Sequence, residues 1–254
     1  GSLRLMSLIN STAIPSGASA YEIEQSLRFN DGDSPYLSRA TSSTATHNDR
    51  LTFSCWIKNS TLGQWHKFFT RYADGDNRFY VGFGNENHIY IYQKSGGATT
   101  LSYKTTAMYR DVSAWYHIVV AIDTGQGTAS NRVRLYVNGE EVTAFDTETD
   151  PSQNADLYMQ TATSVPIDIG RYISGTPQTL DGYLAEVNFI DGAQKVPADF
   201  GETGDYGEWK PIEYSGSYGN NGFYLNFAGA GIMTASGGNS TATDGDYKAA
   251  SFTS

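Results

Sequence analysis

The sequence predicts an all-β protein, folded as a two-sheet antiparallel β-sandwich, and three observations carry that expectation. Along most of the chain apolar side chains recur with period two, the signature of half-buried strands, and not with the 3.6-residue period of helices. Clusters of Gly, Asn, Asp, Ser or Pro break the pattern roughly every 8 to 15 residues, the spacing of short strands and turns. Finally, 27 glycines and only 17 % charged residues, set beside 12 Phe, 18 Tyr and 4 Trp, favour strands and tight turns over long helices.

The elements follow in order. Two short strands come first, Ser26–Phe29 and Tyr36–Ser38, with the turn formers Asn30-Asp31-Gly32-Asp33 between them. Five more are expected at Leu51–Lys58, His66–Tyr72, Arg78–Phe83, His88–Gln93 and Thr99–Tyr103; Asp74-Gly75-Asp76-Asn77 joins two aromatic-rich members of this group. After Trp115–Ile122 comes the clearest hairpin, Arg132–Asn138 with Glu141–Phe145, because Asn138-Gly139 can take the two positive φ angles of a type I′ turn. Val165–Ile169 precedes Asp181-Gly182, the turn that opens Tyr183–Ile190. Regular alternation in that strand would point Leu184, Glu186, Asn188 and Ile190 one way and Tyr183, Ala185, Val187 and Phe189 the other. No stretch shows convincing helical periodicity, although Val196–Phe200 fits a single helical turn with Pro197 setting its first φ. Phe223–Phe227 completes the strands.

Residues 1–19 read as a tag scar, Gly1-Ser2, with an N-terminal extension, and residues 20–228 as one domain. Residues 229–254, rich in Gly, Ser and Thr, read as a tail or linker, or as the start of a following module.

With 27 acidic against 17 basic side chains the formal charge is −10, which disfavours nucleic acid and anionic membrane as partners. At 39 % hydrophobic, the chain has enough apolar mass for a core and is not intrinsically disordered as a whole. The single cysteine, Cys55, excludes an intrachain disulfide framework and a Cys-based zinc site. No run approaches the roughly 18 apolar residues of a membrane span.

Six blocks then carry a resemblance: SLRFNDGDSPYLSR (26–39), LTFSCWIK (51–58), WYHIVVAID (115–123), RLYVNGEEV (134–142), LDGYLAEVNFIDG (180–192) and WKPIEYSGSYGNNGFYLNF (209–227). In this order they resemble the laminin G-like, concanavalin A-like jelly-roll domains, and more narrowly the version found in tail-fibre and appendage proteins of marine bacteriophages. The resemblance covers most of residues 20–228. It implies a jelly roll of the concanavalin A-like lectin/glucanase type, used by lectins, glycan-binding modules and some glycanases. Activity must be read from the site and not from the fold.

Glycoside hydrolysis normally needs two carboxylates about 5 to 9.5 Å apart across the scissile bond. The E-x-D-x-x-E run of β-glucanases that share this fold is absent. Its nearest imitations are Glu22 and Glu24, and Asp146, Glu148 and Asp150 in DTETD; the latter run into Pro151 and are expected in a solvated loop. None of His47, His66, His88 or His117 sits beside a G-x-S-x-G elbow, and His117, between strand residues, is expected to be structural. No catalytic residue is therefore assigned, and a non-enzymatic role is expected.

The resemblance makes Ca²⁺ the expected ion without naming its ligands. Two loops qualify by chemistry, offering Asp31 and Asp33 in one and Asp74, Asp76 and Asn77 in the other; the alternative for each is an Asx turn. Sugar binding uses flat aromatic faces beside short polar side chains. The aromatics near turns are Trp65, Tyr72, Tyr109, Tyr172 and Tyr218, while Trp56 and Trp115, inside apolar runs, are expected in the core. The leading functional expectation is a lectin-like domain of a virion tail or appendage protein that recognises a surface polysaccharide or lipopolysaccharide of a bacterial host. Outside a virus, the expected location is extracellular or on the cell surface. The alternatives are a structural or oligomerisation module of a tail fibre, as a homo-oligomer such as a trimer contacting other virion proteins, and a glycan depolymerase.

Overall fold

The computed structural model describes residues 21–41, 43–162, 164–175, 178–228, 240–244 and 247–251; the expected scar and extension at 1–19 lie outside the described residues. The first strands are β1 (Leu27–Phe29), β2 (Leu37–Arg39), β3 (Arg50–Asn59), β4 (His66–Tyr72), β5 (Arg78–Phe83), β6 (His88–Ser95) and β7 (Ala98–Met108). β8 (Tyr116–Asp123), β9 (Val133–Val137), β10 (Glu140–Glu141) and β11 (Phe145–Thr149) follow, then one helical turn, α1 (Tyr158–Thr161). Next come β12 (Ile167–Ile169), β13 (Arg171–Tyr172), β14 (Gln178–Thr179), β15 (Gly182–Asp191), β16 (Gly201–Thr203), β17 (Trp209–Pro211) and β18 (Phe223–Leu225). A last ladder pairs β19 (Ser240–Asp244) with β20 (Tyr247–Ser251), inside the segment expected to be a tail or linker. Among the described residues, no helix is long and apolar enough to cross a membrane.

Fourteen of these strands form two seven-stranded antiparallel sheets. Sheet A runs β1-β15-β3-β8-β9-β10, with β18 also paired to β15, and sheet B runs β11-β7-β6-β5-β4-β12-β2. The expected two-sheet sandwich is therefore the fold. Its core lies between the sheets, where Phe53 and Leu51 of β3 and Phe189 of β15 meet Phe68 and Phe69 of β4, Phe79 of β5 and Ile91 of β6. Phe53 stacks on Phe69 with ring centroids 4.1 Å apart. Truncating a ring at such a site costs about 3–5 kcal/mol.

The hairpin between β9 and β10 forms as its sequence requires, with Asn138 at φ 50° and Gly139 at φ 84°. Gly139 is fixed twice over, since a Cβ there would also enter the Trp209 ring. Pro197–Asp199 forms the expected single turn, of 3-10 type, and the Asp199 carboxylate accepts from the Val196 amide.

Three expectations need correction. The alternation expected in β15 breaks at a bulge between Ala185 and Asn188, with Glu186 at φ 48°. One extra residue moves Leu184 to the same side as Val187 and Phe189, in the core, and leaves Ile190 in a second cluster. DTETD is not a loop: Phe145–Thr149 pairs with β7 as an edge strand, where polar side chains suit a sheet margin. Neither Trp56 nor Trp115 lies between the sheets. Trp56 is buried on the outer side of sheet A against the His117 ring, and Trp115 is half-buried beside Tyr183.

Sheet A is covered on both sides. Nearly every residue of β3, β8 and β15 is buried, as expected only when neither face meets water. The outer cover is the segment after β15, whose Phe200 and Tyr214 pack with Val119, Tyr136 and Ile190.

Candidate functional site

Sheet B is built differently. Burial alternates along β5, β6 and β7, so one side of each strand enters the core and the other does not. Phe79, Val81, Ile89, Ile91 and Leu101 take the inner side, which leaves Tyr80, Tyr90, Tyr92 and Ser102 facing out. Pairing aligns these outward residues across the strands, with Thr70 opposite Tyr80, Tyr80 opposite Tyr92 and Tyr92 opposite Ser102.

The outward rings form a continuous row. Tyr72 meets Tyr172 at 5.0 Å between centroids, Tyr172 meets Tyr80 at 5.2 Å, and Tyr80 stacks on Tyr92 at 5.1 Å and 18°. Trp65 lies 5.0 Å from Tyr90. Lys67 of β4 links the two groups, its Nζ 3.9 Å from the Tyr80 ring, 4.0 Å from Trp65 and 5.5 Å from Tyr90. Two glycines on the β5 side make room for this arrangement. A Cβ on Gly82 would clash with the Lys67 stem, and one on Gly84 with the Tyr90 ring.

Lys67 is 1 % exposed and its Nζ has no hydrogen-bond partner. Burial holds its amine well below the usual lysine range. Cation–π contact with three rings recovers part of the desolvation cost, about 2 kcal/mol for a desolvated pair, but supplies no acceptor. Four more orphaned atoms belong to the same sheet, His66 Nε2, Arg78 Nε, His88 Nδ1 and Asp168 Oδ1, of which Arg78 and Asp168 border the row. Arg78 Nε has no partner, although its Nη1 donates to the Gly75 carbonyl at 2.6 Å and its guanidinium lies 5.5 Å from the Tyr92 ring centroid. Asp168, opposite Thr70, receives Arg171 Nε on Oδ2 at 2.8 Å while its Oδ1 stays unpaired. Burial raises the Tyr80 and Tyr172 phenols, so both remain neutral at physiological pH.

Of the five aromatics singled out in the sequence, the structure brings Trp65, Tyr72 and Tyr172 into this row. Tyr109 instead packs at the core margin between Phe83 and Tyr116. Tyr218 belongs to the cover of sheet A, against Tyr214 and Tyr224, and donates to Asn188 Oδ1. Sequence reasoning missed Tyr80, Tyr90, Tyr92 and Lys67, which sit inside strands. Their signal was parity: all three tyrosines occupy the register opposite to Phe79, Val81, Ile89 and Ile91.

The acidic loops are internally engaged. Asp74 Oδ1 accepts from the amides of Asp76 and Asn77, which makes the loop an Asx turn; Asp76 pairs with Lys94, and Asn77 Oδ1 accepts from the Gly96 amide. Asp74 Oδ1, Asp76 Oδ1 and Asn77 Oδ1 therefore already serve protein donors. Asp31 and Asp33 share one 3-10 turn, with Asp33 bonded to Asn30. Among the described residues no group of three or more His, Cys, Asp or Glu gathers at a point.

His117 is held as an acceptor. Its Nδ1 receives the Trp209 indole N–H at 2.9 Å, which places the ring proton on Nε2, donated to Ser54 Oγ at 2.9 Å. Burial pushes its pKa down to about 3. This is a structural histidine, with no free nitrogen to act as a base.

Residues 31–196 match the family described as the concanavalin A-like lectin/glucanases superfamily. The chain belongs to that superfamily. Among solved structures, this concanavalin A-like domain is similar to a protein from Bacteroides ovatus named for carbohydrate binding, at 16 % identity and a TM-score of 0.50, over 81 % of this chain and 52 % of that one. It is also similar to a pentraxin of Limulus polyphemus, at 14 % identity and a TM-score of 0.45, over 69 % of this chain and 80 % of the pentraxin. A third likeness is to tailspike protein 2 of an Escherichia coli O157:H7 bacteriophage, at 14 % identity and a TM-score of 0.47, over 68 % of this chain and 23 % of the tailspike. At these identities the likeness is one of fold. No curated protein matches the sequence.

Proposed function

We propose that this concanavalin A-like domain is a non-enzymatic carbohydrate-binding module whose ligand lies along the outward tyrosine row of sheet B. One observation carries the reading. Rings in contact from Tyr72 to Tyr92, joined through Lys67 to Trp65 and Tyr90, form a platform that is half-buried apart from the buried Tyr172 and lies beside orphaned polar atoms. Pyranose rings present a C–H face that stacks on aromatic faces and a rim of hydroxyls that both donate and accept. Such a ligand covers the rings while its hydroxyls pair with the polar side chains at the margin of the row. A purely structural sheet face would have no reason to keep an unpartnered lysine amine under three rings.

The wider role we propose is recognition of a host-surface polysaccharide by a viral tail or appendage protein, in which this domain supplies the contact. The sequence resemblance to marine phage appendage domains supports that role. The row itself requires no metal, so binding is expected to be unchanged by EDTA.

Affinity electrophoresis of the whole chain against a broad panel of bacterial and marine polysaccharides tests the site. Retardation by at least one polymer, weakened tenfold or more in Tyr80→Ala and in Trp65→Ala but unchanged in Tyr218→Phe, is expected. Binding that survives both platform substitutions would move the site elsewhere, and a blank panel would overturn the reading. Release of reducing ends would replace it with a depolymerase.

A further inference from the structure

Resting on that carbohydrate-binding reading, we infer that the ligand class is an acidic polysaccharide, one bearing carboxylate or sulfate groups. Charge is unevenly distributed over the molecule. The chain carries −10 overall, yet the outer side of sheet B and its margins collect Lys67, Arg78, Lys94, Lys104 and Arg171. Three of these cations have carboxylates of their own. Lys94 pairs with Asp76 at 3.2 Å, Lys104 with Glu86 at 2.9 Å and Asp146 at 3.5 Å, and Arg171 with Asp168 at 2.8 Å.

Lys67 and Arg78 are different. Among the described residues neither has a carboxylate within 4 Å, and each has a buried nitrogen without a hydrogen-bond partner. They stand on neighbouring strands and bracket the row, Lys67 between Trp65 and Tyr80, Arg78 over Tyr92 and opposite both Tyr72 and Lys94. In an acidic protein, basic side chains without a direct ion pair beside the row, Arg78 with only the more distant Asp74 carboxylate near it, favour a ligand that brings anions of its own. A neutral sugar leaves the positive potential of these groups uncompensated. An anionic group on the sugar compensates it, and the attraction acts across the aromatic layer without direct contact with Lys67 Nζ.

The test compares polymers that differ only in charge. Wild-type chain is titrated with polygalacturonate and with its fully methyl-esterified form, and with dextran sulfate and dextran, at 50 and 500 mM NaCl. Tenfold or tighter binding of at least one charged polymer than of its neutral twin is expected, weakening at high salt, with Arg78→Gln and Lys67→Met each reducing the charged-to-neutral ratio toward one. Equal affinity for charged and neutral twins would overturn the inference, as would a ratio unmoved in both variants or no binding of either charged polymer. Tyr80→Ala and Trp65→Ala separate this from the failure of the site itself. Binding of equal strength to both twins that is lost in those variants leaves the platform standing and removes only the acidic preference, whereas binding that they leave intact removes the platform.

Discussion

The two sheets turn opposite kinds of outer face to their surroundings. Outside sheet A, polar groups are buried and matched: Glu186 accepts from the phenols of Tyr21 and Tyr224 at 2.6 Å each, Asn188 from Tyr218, and His117 is fixed between Trp209 and Ser54. Outside sheet B, several buried polar atoms are unmatched, with Lys67 Nζ, Arg78 Nε and Asp168 Oδ1 lacking partners. Both faces are rich in aromatics, so aromatic content does not distinguish them. What distinguishes them is whether the chain supplies its own partners. A face that does is finished by folding, whereas a face that does not is left for something else to complete.

The largest effect that tests this contrast is at the rim of sheet A. Asp191, 2 % exposed, accepts from the Thr46 amide, the Gln160 side chain and the Asn221 amide, and so ties the segment before β3, α1 and the closing segment to the end of β15. Asp191→Ala leaves those donors buried without an acceptor and is expected to lower stability by about 3–5 kcal/mol in urea denaturation. A loss under 1 kcal/mol would mean that the matched face is not what holds the closing segment down.

Next in size is a pH effect on the same face. The folded-state pKa of His117, about 3, lies below the unfolded value of roughly 6.5. The unfolded chain therefore takes up a proton first as pH falls, and the stability contributed by the neutral ring is complete above 6.5 and lost as pH drops through that window. Between pH 7 and pH 4 the wild type should lose roughly 3 kcal/mol that His117→Gln does not lose, measured as the difference between their unfolding free energies at the two pH values. Parallel curves for the two proteins would show that the ring is not held neutral.

Much of this architecture was legible in the sequence, and the limits were physical. β4 and β5 fall at His66–Tyr72 and Arg78–Phe83, as expected, because clear turn residues bound their alternating aromatics. The bulge at Glu186 was not legible, since a one-residue insertion is decided by packing across three strands and leaves the hydrophobic pattern looking regular. The site was half legible. Turn-proximal Trp65, Tyr72 and Tyr172 could be named, but Tyr80, Tyr90 and Tyr92 sit in strands whose two faces are both apolar enough to pass for core. Period two reveals that a strand has two faces; only the second sheet and the cover over the first decide which face is left outside.

The smallest predicted effect reverses the sign of the first. If Lys67 were a structural group, removing its ammonium would weaken the fold, as removing the Asp191 carboxylate does. Its desolvation is instead only partly compensated, so Lys67→Met, which keeps the length of the stem and drops the amine, should stabilise the chain by about 1 kcal/mol or more at neutral pH. The pH dependence identifies the cause. Because the folded-state pKa is depressed, the unfolded chain holds the lysine proton to higher pH, and wild-type stability must rise with pH through the window between the lowered folded value and the unfolded value of about 10.4. Lys67→Met lacks that rise, so the two stability curves converge toward alkaline pH. A variant less stable than wild type at every pH would make Lys67 part of the scaffold and return sheet B to the same category as sheet A. A more stable variant that has lost polysaccharide binding would show a residue kept against the interest of folding, and so kept for the ligand.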